Sequence, residues 1–335
     1  MTTNNEFGAK SVKTLSSDNS MEPKIGNNKS NVITSQLKFQ DLYNCIKNVR
    51  THGNLFPLSI VLPLYNEEKT IKSVLDNLPS NNSVEVIVVN DHSSDNSLNE
   101  IKKVQTYKNI QVINHPKNKG YGAAILTGIK HARGEIIVTM DSDGQHSPDD
   151  ILTLIKPIVN KEADYTIGSR YLGSYFYKLP VSTRLGEVVL EKFIRILFNK
   201  NIKNNQNGFR AFNRKVVSIF HNFKYEGYAF CTEQILKASL EGFKIKECPI
   251  KVYNRAFGSS HIILRRLAVN IFSCLFIYYL RKIQFMALKR TKAGEVKIIK
   301  KPPLTARFSK KPIKYENLIQ YNSFFFIERQ KFMSI

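Results

Sequence analysis

The chain has 335 residues with 42% hydrophobic content, enough to bury a real core, which excludes a wholly disordered polymer. It carries 50 Lys and Arg against 27 Asp and Glu, a formal charge of +23, so it suits anionic partners: nucleic acid, anionic lipid or phosphorylated substrates. A solvated lysine-rich surface is the plainer reading for its scattered lysines, and Cys45, Cys231, Cys248 and Cys274, with no Cys-x-x-Cys pair, suggest reduced structural thiols inside a cell rather than a zinc site or disulfide framework.

Residues 1–40 are rich in Asn, Ser, Thr and Lys, contain no secretory signal, and are expected to form a disordered leader. Residues 41–52 suit a short helix, and 58–62 a buried strand. Asn66 stands as an N-cap for a helix to residue 78 that buries Ile71, Val74, Leu75 and Leu78. A second buried strand, 84–89, ends in the turn formers Asn90, Asp91 and Asp95. A helix over 97–107, a strand over 110–114 and a helix over 120–132 follow. They lead into the β-branched run 136–140 and then a strand over 163–168. Strands alternating with helices predict an α/β fold with a mostly parallel sheet and right-handed crossovers. Beyond it the order is less regular: a helix over 181–198, a short element over 209–220, a helix over 228–240 ending at Gly242, and short strands over 243–248 and 250–253. Residues 262–288 predict an amphipathic helix with Leu267, Ile271, Leu275 and Tyr278 on one face. Arg265, Arg266, Arg281 and Lys282 flank it, which suits a helix lying in a membrane interface, with packing on the domain or a dimer contact as the alternative. The longest uncharged stretch, 267–280, is too short to span a bilayer. From 281 onward stand 14 Lys and Arg against 3 Asp and Glu, and residues 289–335 read as a basic, poorly ordered tail.

The run 136–140 ends in Asp141-Ser142-Asp143-Gly144-Gln145-His146. In extended geometry Asp141, Asp143 and Gln145 share one face, and three oxygen ligands there could hold a hard divalent cation. A polar turn is the competing reading. A calcium loop is excluded, because Leu152 stands at the twelfth position and Pro148 interrupts. Gly120-Tyr121-Gly122 lacks the third glycine of a dinucleotide fingerprint, since Ile125 stands there, so small residues at this point serve close approach. Polar clusters after the first, second and fourth strands fall on one rim, where open α/β sheets bind ligands. That coincidence suits a nucleotide diphosphate.

The ordered set Pro63-Leu64-Tyr65-Asn66-Glu67-Glu68, Asn90-Asp91-His92-Ser93-Ser94-Asp95, Gly120-Tyr121-Gly122 and Asp141-Ser142-Asp143-Gly144-Gln145-His146 resembles family-2 glycosyltransferases of the GT-A fold, a Rossmann-like, mostly parallel sheet flanked by helices. With Gly168-Ser169-Arg170-Tyr171, Asn207-Gly208-Phe209-Arg210 and Arg255-Ala256-Phe257-Gly258-Ser259-Ser260-His261 it looks like the dolichol-phosphate (polyprenyl-phosphate) mannosyl- and glucosyltransferase branch, over residues 57–261 within a catalytic domain of 41–261. The resemblance implies metal-dependent, inverting transfer of a hexose from GDP-mannose or UDP-glucose to a polyprenyl phosphate. The setting would be peripheral, at the cytoplasmic membrane face, on an anionic lipid surface and without nucleic acid. It implies that Pro63, Tyr65, Glu67 and Asp91 contact the nucleotide, that Asp141, Asp143 and Gln145 hold Mg2+ or Mn2+, and that Arg170, Arg184, Arg210, Arg255 and His261 face phosphates. Asp141, Asp143, Arg170 and Arg184 would be catalytic. Asn90, His92 and His261 depart from residues common in that branch (Asp, Gly and Lys) and blur donor identity. Glu233 is the one later carboxylate available as a base, or as a group that orients an arginine or the sugar. Transfer to a hydroxyl of a glycan or lipid, and a non-catalytic nucleotide-sugar-binding scaffold, are the alternatives.

Overall fold

The structure, a computed structural model, describes residues 38–49, 51, 56–177, 180–227, 229–255, 257 and 264–299. Within them the elements run α1 (Gln40–Ile46), β1 (Leu58–Leu64), α2 (Ile71–Asp76), β2 (Val84–Asn90), α3 (Ser97–Gln105), β3 (Ile110–Asn114), α4 (Tyr121–His131) and β4 (Ile136–Thr139). Next come α5 (Ile151–Val159), β5 (Tyr165–Tyr175), α6 (Val181–Phe198), β6 (Arg210–Asn213), α7 (Ala229–Leu240), β7 (Ile245–Val252) and α8 (Leu264–Ile299). The leader 1–37 and the tail 300–335 lie outside the described residues.

Seven strands form one sheet in the order β3-β2-β1-β4-β6-β5-β7. All its neighbours are parallel except β6, which runs antiparallel to both β4 and β5. β1 and β2 are buried along their whole length, because helices cover both faces of the sheet. Alternation along β1 divides the core. Leu58, Ile60, Leu62 and Leu64 pack with α1, α2, α3 and α5 on one face. Val61 packs with Ile87, Ile137, Ile125 and Phe230 on the other, against α4 and α7. Gly128 lets α4 sit close, since a Cβ there would meet the Val61 side chain.

Four expectations are corrected. Asn66 does not cap α2: it sits at φ 55°, and its side-chain oxygen accepts the Ser94 N–H at 2.8 Å, tying two rim loops together. The two short strands after Gly242 are one, β7, because β5 continues past Gly168 to Tyr175 and pairs with it across a register shift. α8 is continuous over 36 residues and passes 288 to end at Ile299. Its predicted lipid-facing side is a packing side: Ile271, Cys274, Leu275 and Tyr278 are buried against Leu190, Ile194, Phe198 and Leu236 of α6 and α7. Lys282, expected to flank lipid, donates to the Leu197 carbonyl at 2.6 Å, satisfying the last turn of α6. Of the described helices, none is long and apolar enough to cross a membrane.

Candidate active site

The parallel strands bring the ends of β1, β2 and β4 to one rim. There the Asp91 N–H donates to the Leu64 carbonyl at 2.8 Å. The Asp91 carboxylate is buried and engaged from within the protein. It accepts the Lys119 N–H at 2.9 Å and the Gly120 N–H at 2.8 Å, and it meets His115 Nδ1 at 2.7 Å. His115 is held in turn by Thr127 Oγ1 at 2.9 Å from Nε2. Asp91, expected at the nucleotide, therefore shapes the turn at Gly120, whose φ of 92° opens α4. Asn90 donates to Asn114 at 2.9 Å and accepts the Ser93 N–H at 3.0 Å, so an amide here does what a carboxylate could not, donating and accepting at once. His115 carried no motif, and sequence reasoning missed it.

Beyond β4 the acidic loop is built from its own backbone and its neighbours. Ser142 Oγ donates to the Pro63 carbonyl at 2.7 Å, and Thr70 Oγ1 donates to the Ser142 carbonyl at 2.9 Å. Asp143 accepts the Gln145 N–H at 3.1 Å across Gly144, which lies at φ 79°. Asp141 accepts the Tyr121 hydroxyl at 3.0 Å, and His146 Nδ1 lies 3.8 Å from its other oxygen. The His146 ring packs on Phe209, with centroids 5.1 Å apart. The Asp141 side chain keeps 30% exposure toward the cavity, and burial of the rest holds its carboxyl above the ordinary value. Tyr121 and His146 stood inside quoted motifs without an assigned role.

These residues fit a hard cation. Gln145 Nε2 donates to the Tyr253 carbonyl at 3.1 Å, which turns the amide oxygen to the opposite side. Two carboxylates and an amide oxygen are oxygen ligands of the kind Mg2+ and Mn2+ take. Gly208 faces Asp141, and a Cβ there would stand 2.5 Å from Oδ1 and 2.8 Å from Oδ2. The missing side chain keeps that space open. No group of three or more His, Cys, Asp and Glu side chains placed to hold a metal occurs among the described residues.

The expected arginines separate. Arg255 reaches the acidic loop: it pairs with Glu67, and its Nε lies 3.9 Å from Asp143 Oδ2. Burial raises the Glu67 carboxyl, and Arg255 opposes that rise. Arg170 pairs with Glu187 of α6 and donates to the Tyr177 hydroxyl. Arg184 stacks its guanidinium over the Tyr171 ring, 3.9 Å from the centroid. Arg210 is a correction. It is fully buried, donating to the carbonyls of Asn205, Asn207 and Cys231 and to Tyr165 and Gln234, so it braces the 205–207 loop from inside the protein and offers no surface to a phosphate. Glu233 is a second: buried, it accepts the Lys224 and Tyr225 N–H groups at 3.0 Å and the Tyr278 hydroxyl at 2.6 Å, which leaves it no part as a base or orienter. His261 lies outside the described residues.

Pro63, Tyr65, Glu67, Asp91, Asp141, Asp143, Gln145, Arg170 and Arg255 all line one cavity of about 1200 Å3. Leu185, Val189, Leu267, Ile271 and Phe272 of α6 and α8 extend it with apolar wall. The model of Glycosyl transferase family 2 matches residues 59–220. The UDP-N-acetylglucosamine--dolichyl-phosphate N-acetylglucosaminyltransferase of Methanococcus voltae is 32% identical over 61% of this chain and 90% of its own length. This chain belongs to glycosyltransferase family 2. The glycosyltransferase is also 30% identical to the dolichol-phosphate mannosyltransferase of Pyrococcus furiosus, over 61% of this chain and 59% of that protein. In fold it matches glucosyl-3-phosphoglycerate synthase from Mycobacterium tuberculosis, solved with Mn2+, UDP and glucosyl-3-phosphoglycerate. The TM-score is 0.51 at 18% identity, covering 78% of this chain and 86% of that one, and the likeness speaks for the GT-A fold alone.

Proposed function

We propose that this glycosyltransferase moves a hexose from a nucleotide-diphosphate sugar to a polyprenyl (dolichyl) phosphate at a membrane surface. The observation that carries the reading is the character of one continuous cavity. It runs from the Asp141–Asp143 loop, past Arg170, to apolar walls from α6 and α8. A donor diphosphate suits the first end, an acceptor phosphate the middle, and a hydrocarbon chain the last.

Asp141, Asp143 and Gln145 would hold Mg2+ or Mn2+, which when bound supplies countercharge to the leaving diphosphate. Pro63, Tyr65 and Glu67 would seat the nucleotide, with Tyr65 half exposed at the rim. A phosphate monoester is already anionic and needs little deprotonation. It needs cations to hold it beside a second anion, a part for Arg170 on the cavity wall and for Arg184 stacked on Tyr171 behind it. Arg255 is already bound to carboxylates, and its part would be on the donor side.

Membrane association would rest on a different face of α8 from the one expected. Val269, Phe272, Phe276, Leu280 and Ile283 are exposed there, and Phe193 of α6 meets Phe272 edge-on at 5.5 Å. Val181, Leu185, Val189 and Ile196 continue the exposed apolar surface along α6.

A donor screen tests the reading: GDP-mannose, UDP-glucose and UDP-N-acetylglucosamine, each with polyprenyl phosphate and with polyprenol, with and without Mn2+. Transfer to the phosphate alone, with one donor and with metal, is expected. Equal use of polyprenol would mean a hydroxyl acceptor instead.

A further inference from the structure

Glu187 lies on the cavity wall beside Arg170 and has no assigned role. Its side chain is only 13% exposed, and that of its partner Arg170 only 16%. One of its oxygens takes Arg170 Nη2, and the other takes the Tyr171 hydroxyl. Arg184, one helical turn earlier on α6, stacks on that same tyrosine. The group thus sets two guanidinium cations against one carboxylate. It is also short of acceptors. Arg170 Nε and Arg184 Nη1 are both buried without a hydrogen-bond partner among the described residues. A buried unmet donor on a cation costs free energy, and a two-oxygen carboxylate already in use cannot relieve it. A phosphate monoester, with three terminal oxygens and up to two charges, can.

Resting on the acceptor reading above, we propose that Glu187 is a positioning residue that occupies the place of the acceptor phosphate and must be displaced by it. The carboxylate holds Arg170 and Tyr171 in order while the site is empty. It then competes with the incoming anion through direct repulsion and through its claim on Arg170. A weak monoanion gains too little to displace it. A dianionic phosphate, held also by its chain on the apolar wall, gains enough. Glu187 would therefore set selectivity for an anchored phosphate ester over free anions, a matter of excluding the wrong ligand as well as binding the right one.

The experiment uses the full-length chain with Glu187→Gln and Glu187→Asp, a short soluble prenyl phosphate as acceptor, and inorganic phosphate as competitor. Gln keeps the shape and one acceptor oxygen for Arg170, turns its amide N–H toward the Tyr171 hydroxyl oxygen in place of the second accepted bond, and removes the charge. The acceptor KM should fall about threefold or more in Glu187→Gln, with the donor KM unchanged, because like-charge repulsion at a partly buried site is lost. Inorganic phosphate should become a stronger inhibitor. Glu187→Asp, which keeps the charge, should stay near the parent in both. An acceptor KM that is unchanged or raised in Glu187→Gln overturns the inference, as does a fall of the same size in Glu187→Asp. A parent enzyme that uses its donor but binds neither prenyl phosphate nor phosphate overturns the acceptor reading and this one together. A parent that binds the prenyl phosphate, with no change on substitution, overturns this one alone.

Discussion

Asp141 and Asp143 sit two residues apart and do different work. Asp141 is wedged against Tyr121, His146 and Gly208, whereas Asp143 faces Arg255 and the Gln145 backbone. Asp143→Asn should lower turnover at least a hundredfold with little change in thermal midpoint, since an amide is a poor ligand for a hard cation and the residue lies outside the core. Turnover with Mg2+ or Mn2+, alongside a melting curve, checks both parts. Asp141 adds a pH dependence. Burial raises its carboxyl, so it binds a proton at a higher pH than an ordinary aspartate, and protons compete with metal there. Apparent Mn2+ affinity should be flat near neutral pH and weaken on acidification, the fall beginning above the ordinary carboxylate range. Mn2+ titrations across pH read this directly, and a profile flat through mild acid would remove Asp141 from the ligand set. For stability the sign is opposite: protonation relieves the buried charge, so the Asp141 contribution improves as pH falls through its raised value.

At the scale of elements, α8 is locked to the domain through Glu233 of α7. The carboxylate is fully buried and gathers the Tyr278 hydroxyl together with two loop N–H groups. Around that point Cys274 and Leu275 pack on Leu190 and Leu236. Tyr278→Phe keeps the ring and removes only the hydroxyl, and hydrogen bonds to a charged group are worth about 1.5–3 kcal/mol. We expect a loss of that order in chemical denaturation, and earlier proteolytic cutting within α8. An unchanged midpoint would mean that apolar packing alone seats the helix. The same lock explains why Glu233 serves neither as base nor as orienter: with three donors upon it and no exposure, it has no access to substrate.

For the whole molecule, the exposed apolar faces of α6 and α8 lie beside the cavity mouth, which they also line. A surface of this kind beside a site for an amphiphilic acceptor is suited to rest on lipid. Phe276 is 63% exposed on α8, so Phe276→Glu should fold normally. Full burial of such a side chain is worth about 1.5–3 kcal/mol, and the added charge is repelled by anionic lipid. Flotation with anionic liposomes should fall about tenfold or more, while transfer to a short soluble prenyl phosphate persists. Flotation equal to the parent would take this face out of the membrane reading.

What local pattern determined is the alternating α/β core and the acidic loop. The β-branched runs of β1, β2 and β4 are buried on both sides in any parallel sheet, and strand ends make ligand rims wherever they occur. The seating of Asp141, Asp143, Glu67 and Tyr65 on one cavity follows from that, and the ordered motifs carried the family. Only the tertiary structure decided what each polar group faces. Arg210 and Glu233 look like site residues in a motif, yet each is spent on buried partners distant in sequence: Tyr165 and Cys231 for the first, Tyr278 for the second. His115 and Glu187 carry no motif, yet lie behind Asp91 and against Arg170. α8 shows the same limit at larger scale. Its period reports apolar sides without saying which one meets protein, and it was the fit of Ile271, Leu275 and Tyr278 against α6 and α7 that left Phe272 and Phe276 outside. Periodicity is a property of one segment, whereas burial depends on what other segments bring to it.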